Sequence, residues 1–198
     1  MLPVFDLIGT FVFASSGGFV ARQARLDLFG AFVLSLAAGT AGGVIRDVLV
    51  GFTPPVALTE WRYPLAAACA TAAVAVKGEF LETRLKHPIT MLDALGLGLF
   101  ATTGTWRALD ASLPIVTALF VGVVTAVGGG VVRDMLVARV PVVLHREIYA
   151  LAAAAGSGLV IVADVMEMNR AIAGVVAVAI TACLRLIAAY KRWNVPKI

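Results

Sequence analysis

Charge is scarce in this chain. Of its 198 residues only 14% are Asp, Glu, Lys or Arg, against 61% hydrophobic, and the mean hydropathy is +0.96. That balance excludes an ordinary soluble domain and a disordered segment, since neither carries so much apolar surface in water. Residues that do chemistry are also few. The two histidines, His87 and His145, and the two cysteines, Cys69 and Cys183, form no HExxH motif, no cysteine cluster and no nucleophile elbow. Both cysteines fall inside apolar stretches without metal-ligand spacing, so they read as small apolar residues rather than a disulfide or a metal site. The run GGGVVRD lacks GxGxxG spacing, a preceding strand and a P-loop lysine, which removes nucleotide and dinucleotide binding. Neither an enzyme nor a cofactor is expected.

What is present is an all-α, multi-pass membrane protein. Seven apolar stretches approach the ~20 residues that cross a hydrocarbon core, at about 4–20, 28–50, 62–76, 89–105, 113–137, 148–163 and 171–189. The N-terminus has no basic leader and carries Asp6 within its apolar run, so it reads as a retained first helix rather than a cleaved signal. After spans one, three, five and seven come Arg22, Arg25, Lys77, Arg84, Lys86, Arg139, Arg146, Lys191, Arg192 and Lys197. After spans two, four and six come only Arg62, Arg107 and Arg170. Basic loops stay cytoplasmic, which predicts an outside N-terminus and a cytoplasmic C-terminus. The formal charge of +4 follows from that asymmetry and gives no support to nucleic-acid binding.

The strongest signal is internal. GGVIRDVLV at 42–50 recurs 87 positions later as GGVVRDMLV at 129–137. The same register pairs Asp6 with Asp93, Gly9 with Gly96, Phe13 with Phe100, Pro54 with Pro141 and Glu60 with Glu147. About a third of positions 6–60 are identical to their partners without a gap, which identifies a duplication. Three spans per unit force the second copy to enter the membrane from the opposite side. The expected architecture is therefore an inverted repeat, 1–87 and 88–169, followed by a seventh helix and basic tail at 170–198, with a substrate or ion path between the units. The seventh helix is expected to serve packing or oligomerisation.

Each unit carries an Arg-Asp pair inside an apolar segment, where ionisable groups are costly unless they face protein or water. Gly42 and Gly43 precede Arg46 and Asp47; Gly129 and Gly130 precede Arg133 and Asp134. Matched glycines predict a kinked or interrupted helix whose freed carbonyls can coordinate a cation, or alternatively close helix packing. Ser15 and Ser16 match Thr102 and Thr103, hydroxyls that can line a cation path or bond their own helix. Asp6 and Asp93 sit where a carboxylate caps a helix start or attracts ions, and Glu60 and Glu147 read as exposed helix-start residues. Each arginine is expected to be held by Asp47 or Asp134, locally or by cross-pairing of Arg46 with Asp134 and Arg133 with Asp47.

The doubled GGxxRD motif, the three-plus-three-plus-one spans and the length resemble the prokaryotic members of the trimeric intracellular cation (TRIC) channel family over essentially the whole chain. The resemblance implies a homotrimer in the bilayer of a prokaryotic inner membrane, one pore per protomer and kinked second and fifth helices. It also implies conduction of monovalent cations, potassium foremost and sodium as a second candidate. Gly42, Gly43, Arg46, Asp47, Gly129, Gly130, Arg133 and Asp134 occupy the family's motif positions. The lysine motif of vertebrate relatives has no match here. Some bacterial relatives carry a glycine-transporter label, so a small-solute secondary transporter stands as the alternative.

Overall fold

The computed structural model describes residues 1–85, 87–145 and 148–191. Lys86, Arg146, Glu147 and residues 192–198, with the basic residues Arg192 and Lys197, lie outside that set. Among the described residues run nine helices: α1 Leu2–Gln23, α2 Leu28–Leu49, α3 Val56–Thr59, α4 Arg62–Arg84, α5 Pro88–Asp110, α6 Ile115–Leu136, α7 Val142–His145, α8 Ile148–Val165 and α9 Arg170–Lys191. Six of them, α1, α2, α4, α6, α8 and α9, are long and apolar enough to cross a membrane. The remaining long helix, α5, is of similar length but buries fourteen of its 23 residues. A helix wrapped by protein needs less lipophilic surface than one wrapped by lipid.

The chain turns tightly between helices. Asp27 caps α2, its Oδ1 accepting the Gly30 amide at 2.7 Å, and Pro3 and Pro88 sit in first turns where a missing amide costs nothing. α1, α2, α5 and α6 all close in the same way. After α1, Leu26 N–H reaches Ala21 O and Arg25 lies in the left-handed region; after α5, Leu113 N–H reaches Ala108 O with Ser112 left-handed. Gly51 and Ala138 do the same after α2 and α6, with φ of 75° and 53°. These are Schellman closures, and both pairs of left-handed residues are 87 positions apart.

Packing repeats with the sequence. α1 lies against α2 and α4 as α5 lies against α6 and α8, while α1 meets α5 and α2 meets α6 across the units. The cross-unit contacts are made twice with partners exchanged. Phe13 and Phe100 stack at 5.3 Å and 12°, Phe100 fills the space left by Gly9, and Phe13 that left by Gly96. At the α2/α6 crossing, a Cβ on Gly42 would strike the Thr125 carbonyl, and one on Gly129 would strike the Ala38 carbonyl. Positions 38 and 125 are again 87 apart. Ile89, at the start of α5, packs with Val20 at the end of α1, while Phe5 near the start of α1 meets Trp106 near the end of α5. The two helices are therefore antiparallel.

One expectation needs correction. The glycine clusters do not interrupt their helices, since α2 and α6 run unbroken through them. A glycine keeps its backbone hydrogen bonds, and its lost side chain here admits another backbone, as small residues do between membrane helices. Cys69 and Cys183 are free and exposed. They lie on the outer faces of α4 and α9 beside exposed apolar residues such as Leu65, Val76, Val176 and Ile180, a surface suited to lipid.

Candidate functional site: two buried arginine centres

Arg46 lies in the last turn of α2 and Arg133 in the last turn of α6, where a cation complements the helix dipole. Each is about 1% exposed. The hairpin geometry brings the first turns of the preceding long helix alongside, and that supplies the counter-ion. Arg46 Nη1 and Nη2 donate to the two oxygens of Asp6 at 2.6 and 3.1 Å. Its Nε donates to Asp47 Oδ1 at 2.9 Å. Arg133 repeats the arrangement, with Nη1 and Nη2 on Asp93 at 2.5 and 3.2 Å and Nε on Asp134 at 2.9 Å. Both forks are bidentate, the strong geometry for Arg and carboxylate, and both join residues 40 apart.

Cross-pairing is thus overturned. Arg46 does not reach Asp134, nor Arg133 Asp47, because each arginine sits at its own helix end while the units meet at the glycine crossing between them. The capping role considered for Asp6 and Asp93 is corrected as well. The N-cap positions are Met1 and His87 and make no side-chain cap, while both aspartates are buried.

Further hydrogen bonds satisfy the carboxylates. Asp47 Oδ2 accepts the Val56 amide of α3 at 3.0 Å, and Asp134 Oδ2 the Val142 amide of α7 at 3.2 Å. These amides are 86 apart, so the repeat loses one residue between the matched prolines and the short helices. With that step Tyr63 corresponds to Tyr149, a pair hidden by the ungapped register. Tyr63 hydroxyl donates to Asp6 Oδ2 at 2.9 Å. Tyr149 hydroxyl is buried without a hydrogen-bond partner among the described residues, and the Arg185 guanidinium of α9 stands 4.9 Å from its ring. The helix outside the duplication therefore contributes to one of the two centres.

The expected site residues divide by role. Arg46, Asp47, Arg133 and Asp134 join the centres. Gly42 and Gly129 make the backbone crossing, whereas Gly43 and Gly130 lie beside the guanidinium of their own unit, with their nearest Arg contacts at 3.7 and 3.9 Å from an added Cβ. Ser15 hydroxyl donates to Phe11 O at 2.8 Å. Ser16 donates to Phe13 O and accepts Arg133 Nη1 at 2.7 Å, linking the units. Its counterpart Thr103, like Thr102, is buried without a hydrogen-bond partner among the described residues, so the equivalent bond to Arg46 is absent. Glu60 is partly exposed and pairs with Arg62 at 2.7 Å, whose hydrogen bond holds its carboxyl below the usual range.

Besides Tyr149, the sequence reading missed the roles of two residues. Tyr63 required a gapped alignment to be seen. Arg107, counted only as a loop charge, lies on α5 with Nε 3.7 Å from Asp47 Oδ1 and its guanidinium 4.1 Å above the Phe52 ring.

Comparison with known proteins agrees with this architecture. A family profile described as "Glycine transporter" matches residues 3–78 and 90–164, one segment per unit. A UPF0126 membrane protein of Deinococcus radiodurans is 40% identical over 157 residues, 78% of this chain and 73% of that protein. The UPF0126 inner membrane protein YadS of Escherichia coli K12 is 37% identical over 152 residues, 76% of this chain and 73% of that protein. Among solved structures, the TRIC trimeric intracellular cation channel orthologue from Rhodobacter sphaeroides superposes with a TM-score of 0.90 at 32% identity, covering 97% of this chain and 98% of its own. A structure described under conductance through TRIC cation channels gives 0.86 at 37% identity, over 99% and 96%. With matches of this extent, the chain is a multi-pass membrane protein that belongs to the Glycine transporter family and shares the fold of the prokaryotic TRIC channels.

Proposed function

We propose that this protein is a cation channel whose path runs between two inverted three-helix units within one protomer, with α9 as a seventh span. The observation that carries the reading is the pair of equivalent arginine centres, each setting two carboxylates against one guanidinium, on either side of a glycine crossing, in a fold similar over its full length to proteins described as cation channels. Neutralised arginines leave a path without a net positive barrier. The exchanged contacts of Phe13 with Phe100 and of Gly42 with Gly129 lie near a pseudo-two-fold axis in the membrane plane, where inverted repeats place their transport site. Gly42, Gly43, Gly129, Gly130 and the hydroxyls of Ser15, Ser16, Thr102 and Thr103 then line a path that the aromatic stack and the glycine crossing close. Potassium is the proposed ion, and a homotrimer the proposed assembly, both from likeness to the TRIC channels.

A glycine-like secondary transporter is the second reading, favoured by the description of the family profile. Recording from purified protein in planar bilayers under a potassium gradient separates the two. Discrete cation currents are expected; silence together with saturable solute uptake into vesicles would replace the channel by the transporter.

The proposed orientation has the N-terminus outside and the C-terminus in the cytoplasm. It rests on ten basic residues after spans one, three, five and seven against three after the others. A cysteine introduced at Glu82, near the end of α4, should react with impermeant reagent only from the cytoplasmic face, and reaction only from outside would reverse the topology.

A further inference from the structure

The two arginine centres match in charge but not in their hydroxyl bonds. Each sets two carboxylates around its own guanidinium, and each has a second guanidinium beside it, Arg107 at 3.7 Å from Asp47 and Arg185 at 4.9 Å from the Tyr149 ring. In the first centre Asp6 Oδ2 accepts both Arg46 Nη2 and the Tyr63 hydroxyl. In the second, Asp93 Oδ2 accepts Arg133 Nη2 at 3.2 Å, while the Tyr149 hydroxyl is buried without a hydrogen-bond partner among the described residues. The serine bond is the reverse case. Ser16 of α1 accepts Arg133 Nη1, whereas Thr103, its match on α5, is buried without a partner among the described residues.

The orphaned hydroxyls are therefore the repeat partners of the bonded ones. Leaving such a group buried and unbonded is costly, and the space lined by Gly130, Arg133, Asp134 and Tyr149 is too small to admit a water molecule. The tyrosines also sit differently. The Tyr149 hydroxyl lies over Gly130, 3.1 Å from where a Cβ would stand, while no atom of Tyr63 comes within 4 Å of the same point on Gly43. One motif thus holds two arrangements in one molecule, with its tyrosine on the carboxylate in the first unit and above the glycine in the second.

We propose that the molecule has a second state in which these hydroxyl bonds are exchanged between the units, so that Tyr149 and Thr103 set which face the path opens to. Tyr149 then donates to Asp93 Oδ2, Arg46 donates to Thr103, Tyr63 moves over Gly43 and Ser16 releases Arg133. Both forks persist. The states differ by a few hydrogen bonds and lie close enough in free energy to interconvert. Because the units are related by a pseudo-two-fold axis in the membrane plane, exchanging their arrangements turns the molecule over. A path more open toward one face in the present state is more open toward the other in the second. The proposal rests on the inverted-repeat arrangement of the proposed function and not on the identity of the transported species.

The test places 3-fluorotyrosine at position 149 or at position 63 of the full chain and records the fluorine spectrum in nanodiscs. Ser16→Ala removes a bond to a charged group that only the present state has, and should raise the fraction of a second signal by at least about tenfold. Gly130→Ala acts by crowding instead, because its Cβ at 3.1 Å pushes the Tyr149 hydroxyl off the glycine. In both variants the second signal should appear at position 149 and at position 63 with the same fraction, although neither altered residue bonds Tyr63. Tyr149→Phe removes a bond that only the second state has, so adding it to Ser16→Ala should suppress the second signal at position 63.

A second signal at position 149 alone would make the asymmetry a local property set by Arg185 and α9, and no second signal in either variant would leave the molecule with one state. Either result overturns the proposal. In planar bilayers with potassium chloride, Ser16→Ala and Tyr149→Phe should shift the asymmetry of current between positive and negative voltage in opposite senses. No such shift, despite matching signals at both positions, would separate the exchange from the path and overturn its gating role. Matching signals from a protein that passes no current but takes up solute would reject the channel reading and keep the exchange as the switch of a transporter. Cation currents with silent probes would keep the channel and overturn the exchange.

Discussion

Asp6→Asn is expected to destabilise the protein by about 3–5 kcal/mol, the range for removing one partner of a buried ion pair. Arg46 loses a bidentate counter-ion at 2.6 and 3.1 Å and keeps the single contact to Asp47, so a buried guanidinium is left partly uncompensated. Asp93→Asn should act similarly on Arg133, moderated by the extra bond from Ser16. Thermal unfolding of purified protein in detergent measures the loss. Asp6→Asn combined with Arg46→Gln should be less damaging than the sum of the single changes, because the partners are in contact. Asp134→Asn combined with Arg46→Gln should be additive, since those residues belong to different centres. An Asp6→Asn protein as stable as wild type would remove the fork from the energetics of the fold.

Two neighbouring glycines should respond in opposite ways to the same methyl group. In Gly42→Ala the added Cβ meets the Thr125 carbonyl of α6, a backbone atom that cannot rotate aside. The α2/α6 crossing must open, at a cost of about 1–3 kcal/mol for overpacking. In Gly43→Ala the nearest atom is an Arg46 guanidinium nitrogen at 3.7 Å, an ordinary contact, so the helix propensity of alanine should leave the protein unchanged or up to ~1 kcal/mol more stable. Gly129→Ala should follow Gly42→Ala through its collision with the Ala38 carbonyl. Melting temperatures of the three variants give the order, and Gly43→Ala falling below Gly42→Ala would reverse the roles assigned to the pair.

The duplication was legible because both copies of GGxxRD were retained with their spacing, and the same register recurs in the Phe13/Phe100 stack and the left-handed turn residues. The helices were legible because apolar runs of membrane length are hard to mistake. The local pairs of Arg46 with Asp47 and of Arg133 with Asp134 were legible too, but the forks to Asp6 and Asp93 were not. Sequence adjacency drew attention to Arg46 with Asp47, while the stronger partner Asp6 is 40 residues away and becomes a neighbour only when α1 and α2 fold back on each other. The glycine signal left helix interruption and close packing both open, because the second backbone that decides for packing is not contained in one helix considered alone. Tyr63 and Tyr149 fell out of register by one residue, and Arg107 resembled any basic residue at a helix end until the loop after α2 laid Phe52 across it.

That each fork closes within a single unit also bears on how the chain enters the bilayer. Residues emerge in order, at roughly 5–20 per second for translation, and an arginine released unpaired within a membrane helix is costly until it finds a partner. Asp6 and Tyr63 flank Arg46 in the sequence, so the first three long helices contain a complete set of partners before any of α5 has been made. Had the counter-ions been exchanged between units, Arg46 would have waited for Asp134, on the order of ten seconds later at that rate. What must form late is the Ser16 bond to Arg133 and the Phe13/Phe100 stack, which bring a second bundle, its arginine already paired, onto a first. Biogenesis can then proceed as two insertions followed by one docking event.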